Sequence, residues 1–349
     1  MEVLAGDIGG TKTSLGIFEV TENNGNSQVN SLYEQTWQSG GHASLADILS
    51  LFLAEPQVQK LASAIQYTCF GVAGPVQDNH CQVTNLPWAI DGAQLAKQFG
   101  WQKTALLNDL EANAWGIAAL KPDDFVELNQ GKNTPGNASI IAAGTGLGEA
   151  GLFWNGQQHI PFASEGGHTD FSPTSETEYR LSEFLQYKYP EHVSWERIVS
   201  GMGLDNIYQF LCHDQGVQPP DWLVEAMKKG DATVEISLAA QAGKDPLCVQ
   251  ALDWFCYFYG VEAANQALKI MSHGGVFLGG GIAPKIIKQL QSGRFMEGFT
   301  RKGRMSHLLE AMPVKVIMND KTALYGPALY AAGPVYPSTG RRYHPETNI

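Results

Sequence analysis

The sequence predicts an α/β chain of two related domains with a cleft between them, and two observations carry that prediction. A block of strand, glycine turn, strand, turn and strand occurs over residues 3–37 and again over 139–162. Stretches of helical period separate the remaining short apolar runs, the order expected when helices pack on a largely parallel sheet. The length agrees, since 349 residues suffice for about two domains of ordinary size, each with its own core.

Along the chain, the apolar run 3–8 reaches Gly9-Gly10, and 13–20 resumes with Leu15, Ile17 and Phe18, which predicts a β-hairpin. The cluster Asn23-Asn24-Gly25-Asn26 turns the chain into a third strand at 28–37. Residues 44–54 have helical spacing behind Ser44 and Asp47, a start signal, and 67–72 returns to strand character before Gly74-Pro75. A strand at 104–107 and a helix at 110–120 put Asn108 and Asp109 at their junction. The second block comprises a strand at 139–143, a glycine turn at 144–148, a strand at 150–154, the hairpin signal Asn155-Gly156 and a strand at 157–162. Helical spacing runs from 176 to 211 and from 247 to 271, so the second half is richer in helix. Residues 274–285 read as a strand, three glycines and a helix opened by Pro284. Residues 334–349, rich in proline and polar groups, are expected to form a mobile extension.

Composition excludes several classes of function. Apolar residues make up 44% and charged residues 17%, as in an ordinary folded protein. A net charge of −12 repels phosphate polyanions and anionic surfaces at long range, so neither nucleic acid nor a membrane is the expected partner. Cys69, Cys81, Cys212, Cys248 and Cys256 are odd in number and lack C-x-x-C spacing, as for reduced thiols in a cytosolic chain. The first ten residues carry neither a basic run nor an apolar core, and no apolar stretch approaches the ~18 residues of a membrane span. The expected location is the cytoplasm. Glycine, at 38 residues, exceeds its usual ~7% share, which directs attention to loops where backbone must approach something closely.

Three such loops stand out. The first, Gly6, Asp7, Ile8, Gly9, Gly10, Thr11 and Lys12, misses the Walker pattern because Thr11 stands where its second glycine belongs. The second, Gly144-Thr145-Gly146, runs into a literal G-x-G-x-x-G at Gly146, Gly148 and Gly151, yet a strand follows where the dinucleotide fingerprint needs a helix. Both turns can present successive amides to a phosphate across a hairpin tip. Each taken alone can also be an ordinary tight turn, and their recurrence weakens that reading. Asp7, at a strand end, can hold a hydrated Mg²⁺ that bridges ATP phosphates, or be a turn aspartate. The third, Gly279-Gly280-Gly281, allows a flat adenosine near the backbone with a helix N-terminus toward the phosphates, or is a plain strand-to-helix connection.

GDIGGTKTSLG at 6–16, LND at 107–109, AAGTGLG at 142–148, EGGHTDF at 165–171, ERIVSG at 196–201 and GGVFLGGGIAP at 274–284 occur in an order and spacing that resembles the bacterial glucokinase family. The resemblance runs from residue 3 to about residue 332. It implies the two-domain actin-like, hexokinase-type ATPase fold, with duplicated ribonuclease H-like domains and an interdomain cleft. The implied small domain is 1–109 plus about 320–332, and the implied large domain 110–319. It further implies ATP, Mg²⁺ and glucose as ligands and a homodimer as the assembly. Asp109 becomes the base that accepts the proton of the sugar 6-hydroxyl, and Asn108, Asp109, Glu165, His168 and Glu196 address glucose hydroxyls, with Asn85 lining the same pocket.

Structural roles compete for several of these residues. Asn108 followed by Glu111 also fits an N-cap and capping box, His168 fits a loop histidine bonded to backbone, and Glu196 fits first-turn stabilisation of a helix. Only the set outweighs these readings. No C-x-C-G-x-x-G-C cluster follows His168, so the structural zinc of the related repressor/kinase group is not expected. The alternatives left open are a kinase of another hexose or amino sugar, and a non-catalytic actin-like nucleotide or sugar sensor.

Overall fold

The computed structural model describes residues 1–23 and 26–333; Asn24 and Gly25 of the expected turn and the extension at 334–349 lie outside the described residues. The chain divides into two compact units, one made of Met1–Asp124 with the described residues from Asn319, the other of Phe125–Met318.

In the first unit, β1 (Glu2–Ile8), β2 (Lys12–Asn23), β3 (Asn26–Gln38), β4 (Tyr67–Val72) and β8 (Lys103–Asn108) form one sheet in the order β3-β2-β1-β4-β8. The three strands β5 (Val76–Gln77), β6 (His80–Gln82) and β7 (Ala89–Asp91) make a small separate sheet. β1 pairs antiparallel with β2 and parallel with β4, and β4 runs parallel to β8. Successive β1 side chains go to opposite faces. Leu4 and Ile8 join a core with Leu45, Ile48, Leu49 and Phe52 of the helix Leu45–Ala54, whose N-cap is Ser44 accepting from the Asp47 amide at 3.2 Å. Val3 and Ala5 join a second core with Ala112 and with Leu324, Ala328 and Leu329. A sheet covered on both faces explains why its parallel strands are apolar along most of their length.

The helices Asp109–Gly116 and Thr322–Ala332 cross so closely that only glycine fits at two points. A Cβ on Gly116 would collide with the Thr322 backbone, and one on Gly326 with the Ala112 carbonyl. This packing explains why the division falls after Asp124 and not at 109: the helix that follows Asp109 belongs to the sheet it leaves.

In the second unit, β9 (Phe125–Asn129), β10 (Ala138–Ala143), β11 (Leu147–Trp154), β12 (His159–Ser164), β13 (Gly275–Gly279) and β14 (Val314–Ile317) are ordered β12-β11-β10-β13-β14-β9. β10 pairs antiparallel with β11 and parallel with β13, which is parallel to β14. With β9 set aside as an added edge, the order repeats that of the first unit, so the two similar sequence blocks are the two hairpin pairs of a duplicated fold. The helix Pro246–Ile270, capped by Asp245 and opened by its proline, supplies much of the core. Its Tyr259 hydroxyl donates to the Ile141 carbonyl of β10 at 3.0 Å.

One expected helical run differs from expectation. Residues 176–211 are the helix Glu176–Lys188, a 3-10 turn at Trp195–Arg197 and the start of the helix Gly201–Gln215. Pro190 stands just past the end of the first helix, where its ring blocks continuation, and Ser200 caps the next by accepting the Gly203 amide at 3.1 Å.

Gly326→Ala tests the helix crossing. Alanine is better than glycine in a free helix by ~1 kcal/mol, but the collision with the Ala112 carbonyl should outweigh that gain and leave a net loss of about 2 kcal/mol. Urea denaturation of the variant measures it, and an unchanged or raised midpoint would contradict the packing described.

Candidate active site

In the first unit the site residues gather because three parallel strands end in register. Ile8 of β1 pairs with Val72 of β4, and Val72 pairs with Asn108 of β8. Adjacent strands lie ~4.8 Å apart, so the ends of β1 and β8 are separated by ~10 Å. Ligands of open α/β sheets collect at this carboxyl edge. Asn108 is both the last residue of β8 and the N-cap of the next helix. Its Oδ1 accepts the Leu110 amide at 3.0 Å and its Nδ2 donates to the Gly74 carbonyl at 3.2 Å. The expected cap is therefore present, and Glu111 bonds back to the Asn108 backbone as a capping box requires. A carboxamide has four hydrogen-bonding positions, so these two contacts still leave capacity for a ligand. Asp109 is half-buried, and its Oδ1 accepts the Leu110 amide at 2.9 Å.

The tip of the first hairpin has one turn hydrogen bond, from the Gly9 amide to the Lys12 carbonyl at 2.9 Å. The Gly10 and Thr11 amides stand outside that bond. A buried pair of hydroxyls fixes the tip: Thr13 and Ser39 are 2.9 Å apart, and Ser39 Oγ donates to the Gly9 carbonyl at 2.8 Å. Asn85 adopts φ 64°, a left-handed conformation that asparagine tolerates, and with Thr84 it lies against Gly10. The chain thus places Asn85 at the hairpin tip with an exposed side chain.

Asp7, at the end of β1, has its carboxyl pushed up to about 6, first by burial and then by the charge of Asp109. Among the described residues no group of three or more His, Cys, Asp or Glu side chains is placed to hold a metal ion. A lone carboxylate beside a second one suits a cation that brings water and phosphate oxygens as most of its ligands, as Mg²⁺ does.

In the second unit the corresponding residues converge on Leu147, the first residue of β11. Its amide donates to Glu196 Oε2 at 3.1 Å. Gly146, beside it, has no side chain, and a Cβ there would stand 2.5 Å from that carboxylate oxygen. On the other side the buried Gly167 rests on the Leu147 carbonyl with no room for a Cβ. Glu165 and His168 flank this glycine pair in a 3-10 turn and are exposed, whereas Glu196 is half-buried. The Trp195 amide donates to the Thr169 carbonyl at 3.0 Å and so ties the two segments together.

The other two glycine loops of this unit meet at Ala143. The Gly144 amide closes on the Gly146 carbonyl at 2.9 Å, and the Gly201 amide donates to the Gly144 carbonyl at 2.8 Å. Ala142 pairs with Gly279 across β10 and β13. Gly280, at φ 78°, presses on the Ala143 carbonyl, while Gly144 and Gly281 face open space. Pro284 opens a 3-10 turn, Ala283–Ile286, and then the four-residue helix Ile287–Leu290, not a long α-helix. So short a helix gives little macrodipole. What this loop leaves open is glycine backbone.

Sequence reasoning missed the Thr13–Ser39 pair, because its partners are 26 residues apart and belong to different strands. It also missed Ser200, whose hydroxyl donates to the Glu196 carbonyl at 2.6 Å while capping the following helix. The pattern S-G-x-G after Glu196 held that second signal.

A duplicated sheet of this strand order, with glycine turns at both hairpins, is the architecture of the actin-like, hexokinase-type fold. The family model described as Glucokinase matches residues 4–334. The glucokinase of Nostoc sp. (strain PCC 7120 / SAG 25.82 / UTEX 2576) is 40% identical over 343 residues, covering 95% of this chain and 98% of the relative. That of Synechocystis sp. (strain ATCC 27184 / PCC 6803 / Kazusa) is 40% identical over 345 residues, covering 94% and 97%. The crystal structure of a glucokinase from an Antarctic psychrotroph matches with a TM-score of 0.81 at 27% identity, covering 95% of this chain and 98% of that one. The chain belongs to the glucokinase family.

Asp7 provides a pH test of this geometry. Its folded pKa of about 6 exceeds the ordinary 3.8, so the folded state holds the proton more tightly and loses stability as pH rises between those values. Asp7→Asn removes that loss. Calorimetry of the ligand-free protein should find the variant a few degrees more stable at neutral pH and nearly equal to the native chain once the pH falls to the ordinary 3.8 or below; an equal shift at both would contradict the burial of this charge.

Proposed function

We propose that the chain transfers the γ-phosphoryl group of ATP to the 6-hydroxyl of D-glucose, giving glucose 6-phosphate and ADP, with Asp109 as general base. The observation that carries the assignment is the position of Asp109, at the carboxyl end of the last parallel strand of its unit, in a member of the glucokinase family. A primary alcohol is a weak nucleophile near neutral pH. Its oxygen attacks phosphorus as the proton passes to the Asp109 carboxylate, and the bond to the leaving ADP oxygen breaks in line. A base so placed contributes ~10²–10⁴ in rate.

Glu165, His168 and Glu196, with Asn108, Asp109 and Asn85, address the sugar hydroxyls. Each hydroxyl donates and accepts, and carboxylate, amide and imidazole groups complement such pairs. Gly9, Gly10, Thr11 and Lys12 at the first hairpin tip, carried there by Gly6, Asp7 and Ile8 of β1, hold the phosphates together with Gly144, Thr145 and Gly146 at the second. They do so chiefly through the Gly10, Thr11, Thr145 and Gly146 amides, which stand outside the turn bonds. Gly279, Gly280 and Gly281 accept the flat adenosine, since no Cβ keeps a ring from the backbone. Asp7 would hold Mg²⁺ through water, and the ion would supply charge that stabilises the phosphoryl oxygens. We place the enzyme in the cytoplasm, where ATP is supplied, as a homodimer whose mass analytical ultracentrifugation would measure. Among the described residues no helix is long and apolar enough to cross a membrane.

Asp109→Ala should lower kcat by ~10³ or more while glucose binding stays measurable by calorimetry. Near-native turnover in that variant would remove Asp109 from the role. ADP release from the native chain, compared for glucose, mannose, fructose, galactose and N-acetylglucosamine, should favour glucose; a preference for another sugar would reassign the substrate.

A further inference from the structure

Beneath the turn that carries Glu165 and His168 lie two carboxyl groups that the reaction above does not use. Glu149, on β11, is 2% exposed, and Glu262, on the helix Pro246–Ile270, is 0% exposed. The two side chains are in hydrogen-bonding contact. Glu149 Oε1 and Glu262 Oε1 are each without a protein donor. Two carboxylates have no hydrogen to share, so ionising both would leave two buried anions in contact with both oxygens unsatisfied. One proton between them satisfies both.

The surroundings fit a pair that keeps a single negative charge. Glu262 Oε2 accepts from Asn265 Nδ2 at 2.7 Å, and Asn265 Oδ1 accepts from Lys302 Nζ at 2.6 Å. Lys269, from the same long helix, adds positive charge near both carboxyls, and Glu178 in turn faces Lys302. The Tyr259 hydroxyl faces Glu149 but donates to the Ile141 carbonyl. Burial, and next the neighbouring carboxylate, raise the Glu149 carboxyl well above its ordinary range.

The pair also touches the turn. Glu149 Oε2 lies against Gly166, so closely that any side chain at that position would collide with it. Gly166 is buried between the exposed Glu165 and His168, its amide donating to Ser164 Oγ at 3.0 Å and its carbonyl accepting from Thr169 Oγ1 at 2.7 Å. We propose that Glu149 and Glu262 share one proton and together form the floor on which the Glu165–His168 turn is seated, which makes Glu149 a positioning residue for the sugar. The proposal rests on the reading of that turn as part of the glucose site. Loss of the shared proton puts two repelling anions under Gly166, displaces the turn and weakens sugar binding, while Asp109, on another unit of the chain, keeps its chemistry.

The test compares the full-length native chain with Glu149→Gln and Glu149→Ala. Glutamine keeps the shape and donates a permanent N–H to Glu262. For the native enzyme the glucose KM should rise about tenfold from neutral to strongly alkaline pH, with kcat and the ATP KM changing far less. Glu149→Gln should hold a flat glucose KM over that range, and Glu149→Ala should show the raised KM throughout. Two readouts need no substrate. The infrared difference spectrum of the native chain minus Glu149→Gln at neutral pH should contain a protonated-carboxyl band, over and above what Glu111 and Asp7 contribute to both. Amide exchange over residues 163–170, corrected for intrinsic rate, should accelerate at alkaline pH in the native chain and not in Glu149→Gln. Absence of the band, or parallel pH profiles for the native chain and Glu149→Gln, overturns the proposal. If glucose proves not to be the substrate, the band and the exchange still decide the pair, and if Glu149→Ala does not fold, the glutamine variant decides alone.

Discussion

The row Ile8–Val72–Asn108, held by parallel pairing across β1, β4 and β8, is the constraint that sets where the first unit's candidate site residues stand. A one-residue slip of β1 would turn each of its side chains to the opposite face of the sheet. Asp7 would then leave the edge it shares with Asp109. The two cores on either face prevent the slip, because Leu4 and Ile8 have their partners on one side and Val3 and Ala5 on the other. The apolar alternation of a short strand thus fixes where two carboxylates stand. The same logic recurs in the second unit, where the pairing of Ala142 with Gly279 brings two glycine loops together at Ala143.

The glycines of the second hairpin and of the two turns beside it serve more than one neighbour. Gly146 leaves space for the Glu196 carboxylate, Gly167 lets a 3-10 turn settle on Leu147, and Gly280 follows a left-handed path over Ala143. A phosphate-binding turn needs bare backbone on its ligand side. Here the absence of side chains also lets separate segments of one unit meet around a single residue, Leu147, whose amide and carbonyl each face a different segment. Substitutions at these glycines therefore act on the protein's own contacts as well as on any ligand.

What could be read from the sequence was local. The hairpins, the Ser44 cap and the Asn108 junction each depend on residues within a few positions of one another, and the structure has all of them. The run 176–211 misled because its apolar spacing continues across the break between two helices, which only Pro190 and the Ser200 cap mark. Pro284 opens a 3-10 turn because the chain turns again within a few residues. The Thr13–Ser39 hydroxyls and the Glu149–Glu262 carboxyls left no trace, since buried polar partners are joined by the fold and not by spacing. The candidate site was legible as a set of motifs. The hydrogen bonds that hold those motifs still were not.

The helix Thr322–Ala332 covers a face of the β1–β2–β4 sheet through Leu324, Ala328 and Leu329. During synthesis it leaves the ribosome only after all of Phe125–Met318 has been made. The second unit is contiguous and can fold while the chain still grows. The first begins earlier and finishes later, with Val3, Ala5 and Phe18 waiting uncovered for their last partner. A nascent chain of this design carries an apolar sheet face through most of its translation, and truncation before residue 322 would strand it there.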